Sequence, residues 1–259
     1  MGPGWMDEGD VDLDGIPADV GTEKLWNFDS FTAGTRNVHV RVSKMEGTDM
    51  LLALGGECSL IVGEMAGLRE RLRGRPGLIW MDSHGDFNIP DTTPSGYIGG
   101  MCLAFTCGRG PSAYERIDSL MPLVRPGDVL HLGSRVLDEE EKSAMLSSGM
   151  GLVPSKEMKR KGAVESAAGA LRELERRVDY LVFHLDLDVL DPEFLPAVNY
   201  REPGGLTPGE LAAIMRLAVR SSKLKALNVA AYNPRCDHHG ESAARIIKLL
   251  VSSFGPTPV

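Results

Sequence analysis

The stretch "LIWMDSHGDFNIP", residues 78–90, joins an apolar run to a series of evenly spaced polar residues. The apolar run ends at Met81 and predicts a buried strand. Asp82, His84 and Asp86 follow it at every second position. Residues two apart on an extended chain point to the same side. These three side chains therefore converge if the chain stays roughly extended past Met81.

A second stretch, "YLVFHLDLDVLDP" at residues 180–192, repeats this arrangement. His184, Asp186 and Asp188 alternate at the end of another apolar run. In open parallel sheets, ligands collect beyond the carboxyl ends of the strands. If the two strand ends are close, four carboxylates and up to two imidazoles meet in one small volume.

Apolar runs alternate with helical patterns along the rest of the chain. Runs such as "DVLHLGSR" and "LKALNVAAYNP" alternate with patterns such as "LIVGEMAGLRERL" and "SAARIIKLLVSSF". This spacing is typical of a parallel sheet covered by helices on both faces, so the predicted fold class is α/β. Thr207, Pro208 and Glu210 predict the capped start of a helix that ends near residue 221. Another helix is predicted around residues 163–177, with "KEMKRK" at 156–161 as its solvated start.

Composition limits the class of protein. The 259 residues are 42% hydrophobic, and no apolar run is long enough to cross a bilayer. A net charge of -8 argues against a nucleic-acid-binding surface, because phosphates are neutralised by clustered Lys and Arg. The N-terminus lacks the pattern of a signal peptide, so we expect a cytoplasmic protein with reduced cysteines. We assign residues 1–259 to a single domain.

The two acidic clusters predict a metal site. Without a cation, four neighbouring carboxylates would repel one another and several would be driven to protonate. Two divalent cations would balance their charge. Oxygen ligands with one or two imidazoles suit Mn²⁺, with Fe, Co, Ni or Zn possible, and two ions that share carboxylates can activate a bridging water as a nucleophile. An Asp after a strand is often only a turn former, and we take that interpretation for Asp91 and Asp191.

Four blocks, in order along the chain, resemble the ureohydrolases, the family of arginase, agmatinase and formiminoglutamase. They are "GGECS", "DSHGDFN", "HLDLDVLDPEFLPAVNYREPGGLT" and "NVAAYNP". The resemblance implies a three-layer αβα sandwich with a mainly parallel sheet. It also implies a binuclear manganese site, hydrolysis of a C–N bond in a guanidino or amidino group, and assembly into homo-oligomers, commonly trimers or hexamers.

The resemblance also implies roles for individual residues. Asp82 and Asp186 would bridge both ions. Asp86 would bind one ion and accept a hydrogen bond from the metal-bound hydroxide, while His84 and Asp188 would bind the other ion. The positions that match contacts to the polar tail of the substrate, or to waters around it, are Asn88, Thr93, Ser95 and Asp138.

The chain departs from the family pattern at several positions. Cys58 stands where the family has a histidine ligand, so it is either a softer ligand or a small buried residue outside the site. Gly99 replaces a histidine thought to shuttle protons in arginases. Ala231 replaces the glutamate that holds the substrate guanidinium. Arg201, in an altered loop, is either a surface arginine or a group that attracts a substrate carboxylate.

Two further features leave alternatives open. His184 should point to the same side as Asp186, so it orients a carboxylate, replaces a ligand near Cys58 or acts as a local base. The first of these is preferred, because such supporting hydrogen bonds are nearly universal in metal sites. The N-terminal βα region, about residues 1–48, is shortened, or its strand comes from "NVHVRV" at 37–42.

Two functions are consistent with these residues. The first is a metal-dependent hydrolase in which a metal-bound hydroxide cleaves a C–N bond of a small amidine, guanidine or amide other than arginine. The second is a non-catalytic homologue that serves as a metal-binding or assembly subunit. The intact set of mutually repelling carboxylates favours the enzyme.

Overall fold

A single parallel sheet forms the centre of the structure. The computed structural model describes residues 5–13, 16, 21–47, 50–112 and 115–255. Within these residues the strands are β1 (Leu51–Leu54), β2 (Pro76–Met81), β3 (Val129–Leu132), β4 (Gly151–Val153), β5 (Tyr180–Asp186) and β6 (Leu224–Ala230). Their order in the sheet is β1-β6-β5-β2-β3-β4, and every neighbouring pair is parallel.

Helices cover both faces of this sheet. They are α1 (Phe28–Ser43), α2 (Leu60–Arg71), α3 (Cys102–Thr106), α4 (Glu115–Asp118), α5 (Glu139–Ser147), α6 (Ser155–Lys161), α7 (Ala163–Glu175), α8 (Pro208–Val219) and α9 (Glu241–Phe254). One apolar core contains side chains of α1, α2 and α3, and a second contains side chains of α7, α8 and α9. The predicted three-layer α/β architecture is confirmed.

The two cores explain why β2 carries no polar side chain. On β2, Leu78 and Trp80 pack into the first core, while Ile79 and Met81 pack into the second. Successive side chains of a strand point to opposite faces, so a strand covered on both faces needs apolar residues at every position. All six residues of β2 and all seven of β5 are buried.

α1 and α2 lie unusually close together because glycines face the contact. A Cβ added to Gly63 would lie 2.5 Å from the carbonyl oxygen of Thr35. A Cβ added to Gly67 would lie 2.6 Å from Cβ of Val42. The two glycines are one helical turn apart, so they form a groove that receives α1.

Two sequence predictions about helices require correction. The segment "NVHVRV" belongs to α1 and is not a strand, since residues with helical spacing, among them Val38 and Val42, face the core. The predicted continuous helix from "KEMKRK" onward is two helices, because Gly162 adopts φ 90° between α6 and α7. The capped start of α8 is confirmed, with Thr207 and Glu210 forming a capping box.

None of the helices in the described ranges is both long enough and apolar enough to span a membrane.

Candidate metal centre

The sheet order brings both acidic clusters to one place. β2 and β5 are neighbours with Met81 paired to Leu185, so Asp82 and Asp186 lie at the same level at the carboxyl ends of these strands. β1 and β6 lie beyond β5, and the turn after β1 carries Cys58 toward the same point. The convergence predicted from the two alternating stretches therefore occurs in the folded chain.

One group of donors consists of Asp82, His84 and Asp188, whose ligand atoms all lie within 4.8 Å of one another. His84 Nδ1 is 3.0 Å from Asp188 Oδ2 and 3.5 Å from Asp82 Oδ1. Backbone amides fix both carboxylates, because His84 N–H donates to Asp82 and Ser83 N–H donates to Asp188. The group is therefore held in place by the turn that follows β2.

A second group lies deeper and consists of Cys58, Asp82 and His184, again within 4.8 Å of one another. The Cys58 thiol donates to Asp186 Oδ2 over 3.0 Å and lies 4.0 Å from Asp82 Oδ2. Trp80 covers this group, with its indole N–H donating to Asp82 Oδ2 and its ring centroid 4.0 Å from that of His184. Asp82 belongs to both groups.

Burial perturbs the ionisation of these residues. Burial and the neighbouring Asp188 raise the pKa of Asp82 to about 6, and burial also raises the pKa values of Asp86 and Asp186. Burial lowers the pKa of His184 to about 3, so its ring is neutral. Burial by itself would lower the pKa of His84, but its hydrogen bonds to Asp188 and Asp82 outweigh burial and raise that pKa. A site that disfavours the ionised forms of Asp82, Asp86 and Asp186 in this way is suited to added positive charge.

Asp86 lies at the end of the alternating series in a left-handed conformation, with φ 49°. This conformation is unusual for a residue other than glycine. The backbone holds it, because Ala104 N–H donates to the Asp86 carbonyl and Glu141 accepts from the next amide, Phe87 N–H. Asp86 thus reaches the cavity beside the two donor groups.

A cavity of about 1010 Å³ opens onto these donors. Asp82, His84, Asp86, Asp186, Asp188 and Cys58 line it, together with the predicted substrate contacts Asn88, Thr93, Ser95 and Asp138. Asn88 donates to Asp138 across the cavity wall. Arg201 is not among the lining residues and is exposed, although its neighbour Tyr200 lines the cavity. His184 does not line the cavity either, and this position argues against a role as local base.

Gly99 and Ala231, two of the positions that depart from the family pattern, also line this cavity. A Cβ added to Gly99 would lie 2.3 Å from the ring of Tyr97, so that ring fills the space of a larger side chain at position 99. The Tyr97 hydroxyl donates to Glu57. Ala231 lines the cavity at φ 70°, and its amide donates to the carbonyl of Gly56.

Sequence reasoning missed several residues that build the site. Arg135 donates to the backbone carbonyls of Asp188, Leu190 and Glu202, and so fixes the loop after β5. Glu57 adds a carboxylate to the cavity wall. Glu141, the third residue of the "EEE" run, forms the capping box of α5 with Asp138. The spacing of three residues between them is visible in the sequence and could have predicted this role.

The donor set fits divalent cations. The two groups share Asp82, so two ions could be held side by side with one carboxylate between them. His184 Nε2 is a buried atom without a hydrogen-bond partner among the described residues, and such atoms are costly unless a ligand satisfies them. The structure therefore supports a metal site at this position.

Comparisons with known proteins point to one family and one fold. The model of the arginase family matches residues 5–255. The chain is 34% identical to an arginase from Bacillus caldovelox over 204 residues, which cover 79% of this chain and 68% of that protein. It is 31% identical to an arginase from Bacillus subtilis, covering 90% of this chain and 78% of the relative. The solved Bacillus caldovelox arginase superposes with a TM-score of 0.86 at 31% identity, covering 92% of this chain and 80% of that one.

Proposed function

Because the chain belongs to the arginase family, we propose that it is a metal-dependent hydrolase that cleaves a C–N bond of a small amidine, guanidine or amide other than arginine. The observation that carries this proposal is the pair of donor groups that share Asp82 at one end of a large cavity. Divalent cations bound there would polarise the substrate and activate water at neutral pH.

The residues of the chain supply the other parts of the reaction. The carboxylate of Asp86 faces the cavity and would accept a hydrogen bond from the attacking water. Asn88 and Asp138, joined by a hydrogen bond, would orient the polar tail of the substrate together with Thr93 and Ser95. Thr93 is held in turn, because its hydroxyl accepts from Gly96 N–H. In this proposal Arg201 acts only on a substrate carboxylate near the cavity rim.

The proposal that arginine is not the substrate rests on Ala231 and Gly99. A guanidinium at the family position would meet the methyl group of Ala231, where a carboxylate would otherwise accept its hydrogen bonds. Hydrogen bonds to charged groups contribute about 1.5–3 kcal/mol each. Asp237 does not replace this carboxylate, since it is engaged by Tyr232 and by the first amides of α9.

Remaining features of the proposal follow from the resemblance and the composition. We propose two ions per chain, with Mn²⁺ suited to the group of His84 and Asp188. We also propose a single arginase-like domain over residues 1–259, a cytoplasmic location and assembly into a homo-oligomer, with no nucleic acid or membrane as partner.

The first prediction concerns substrate choice. Protein loaded with Mn²⁺ or Co²⁺ should release no urea from arginine or agmatine at ordinary enzyme rates, because the missing positioned acid–base group alone costs about 10² to 10⁴ in rate. A panel of amidines, guanidines and amides, scored by ammonia and urea release, would identify the substrate. Asp82→Ala serves as the control for contaminating activity.

Urea release from arginine with ordinary turnover would contradict the substrate proposal. The variant Ala231→Glu tests its reason, since restoring the carboxylate should raise urea release from arginine by about tenfold or more.

The loss of groups at positions 99 and 231 also favours a second candidate, a non-catalytic metal-binding or assembly subunit. Metal analysis of protein purified without chelator separates the two. About two ions per chain would support the hydrolase, and no bound ion in a folded protein would contradict it.

A further inference from the structure

The deeper donor group differs chemically from the other one. It contains a thiol and an imidazole, contributed by Cys58 and His184, in addition to the shared Asp82. Cys58 is 5% exposed and His184 is fully buried. The other group contains His84, which is partly exposed, and only carboxylates besides. Two ions bound side by side would therefore meet unlike ligands.

His184 is oriented by a chain of buried polar side chains. Its Nδ1 lies 2.7 Å from Asn228 Oδ1 on the neighbouring strand β6. The amide nitrogen of Asn228 donates to Glu64 Oε1 on α2 over 2.6 Å. Since the Asn228 amide nitrogen is used in this way, its oxygen accepts from Nδ1–H of His184. The lone pair of His184 is then on Nε2.

The Nε2 atom of His184 has no hydrogen-bond partner among the described residues. Leaving a buried acceptor unsatisfied costs about 1–3 kcal/mol, which a ligand at this atom would recover. Nδ1 is occupied by Asn228, so Nε2 is the ring nitrogen left to face Cys58 and Asp82. A metal-ligating histidine usually donates its other ring N–H to a neighbouring acceptor, and Asn228 provides that acceptor.

We infer that Cys58 Sγ and His184 Nε2, together with Asp82, bind one of the two ions, and that this subsite selects Zn²⁺ or Co²⁺ over Mn²⁺. The inference rests on the proposed metal-dependent function. In this inference, His184 on β5 supplies the imidazole ligand that the family pattern places at position 58. Thiolate and imidazole ligands suit Zn²⁺, whereas Mn²⁺ prefers oxygen. On binding, the thiol releases its proton to solvent and forms a sulfur–metal bond.

Cobalt substitution tests this assignment without relying on activity. Thiolate bound to Co²⁺ gives an intense near-ultraviolet charge-transfer band that oxygen and nitrogen ligands do not give. Protein loaded with Co²⁺ should show this band, and Cys58→Ser should lose it. Cys236→Ser is the matched control and should keep it, since Cys236 is not in either donor group. His184→Gln should bind the ion of this subsite about tenfold or more weakly.

Competition between metals gives a second measurement, in which the wild-type protein is compared with Cys58→His, both offered equal Zn²⁺ and Mn²⁺. Since Zn²⁺ binds most protein sites more tightly than Mn²⁺, the informative quantity is the ratio of bound Zn²⁺ to bound Mn²⁺ in the wild-type protein relative to that in the variant. Cys58→His should shift that ratio toward Mn²⁺. Two bound Co²⁺ ions without the charge-transfer band, or a band that survives in Cys58→Ser, would overturn the inference and leave the proposed function intact. Absence of any bound ion would refute both.

Discussion

At the scale of single residues, Asp82 has a special position because it belongs to both donor groups. Asp188 belongs to one of them. We therefore expect Asp82→Ala to remove both ions and Asp188→Ala to remove or weaken only one, since a shared carboxylate serves two cations. Elemental analysis of the two variants, with circular dichroism as a check on folding, measures the difference. Equal metal loss in both variants would argue against a shared Asp82.

The residues with a regular spacing were those that the sequence predicted best. Asp82, His84 and Asp188 lie together because the alternation of an extended chain carries past the ends of β2 and β5. Glu57 and Tyr97 were missed because they meet through loops that are 40 residues apart in the chain. From the sequence, the preferred hypothesis was that His184 orients a carboxylate. In the folded sheet its Nδ1 contacts the amide oxygen of Asn228, a residue on another strand, and local spacing could not reveal this partner.

At the scale of elements, Glu64 makes the contact between α2 and β6 dependent on pH. Burial raises the pKa of Glu64 from 4.5 to about 8, so the folded protein holds a proton that the unfolded chain releases above pH 4.5. Protonated Glu64 contributes its full share of stability below the pKa that it has in the unfolded chain. This contribution falls as the pH rises toward the higher pKa that Glu64 has in the folded protein. The free energy of unfolding should decrease by at most about 1.4 kcal/mol per pH unit in this window.

Urea denaturation of the wild-type protein and of Glu64→Gln tests this prediction. It is measured at several pH values between roughly 5 and 8, the window between the two pKa values. The glutamine keeps an acceptor for Asn228 but carries no titrating proton. Subtraction of the two curves removes the contribution of every other group. A difference that stays constant across this range would mean that Glu64 is ionised in the folded protein.

Element boundaries were predictable where local chemistry marks them. The cap at Thr207 and Glu210 marks the start of α8 in the sequence. Gly162 was harder to interpret, because an isolated glycine is tolerated within a helix and the break depends on its φ of 90°. In "NVHVRV" the valines occupy every second position, with His39 and Arg41 between them, as in a strand. Packing against Gly63 and Gly67 of α2 decides in favour of the helix.

At the scale of the whole molecule, we expect a homo-oligomer. Ile247 and Val251 lie one turn apart on α9 and are 61% and 68% exposed. Light scattering should give a mass of several times 28.0 kDa. Replacing both residues by Glu should lower this mass if α9 forms part of the interface, whereas Lys142→Glu, at an exposed position of α5, should not. A mass of one chain at micromolar concentration would contradict the prediction.

The fold class was predictable from alternation of apolar and helical segments, but the strand order was not. The order β1-β6-β5-β2-β3-β4 depends on contacts between strands that are distant in the chain. That order places Cys58 and Ala231 at the same cavity, although they are far apart in the chain. The resemblance to a known family supplied what local patterns could not, namely that the four blocks that carry it meet.

The position of Trp80 makes the candidate metal centre optically observable. This indole is fully buried, contacts the His184 ring and donates to Asp82, whereas Trp5 and Trp26 are 38% and 48% exposed. Its emission should therefore be blue-shifted relative to theirs and should be quenched when Co²⁺ binds nearby. In a variant with Trp5→Phe and Trp26→Phe, a fluorescence titration would follow ion entry directly. The absence of quenching upon stoichiometric Co²⁺ uptake would place the ion away from the β2–β5 strand ends.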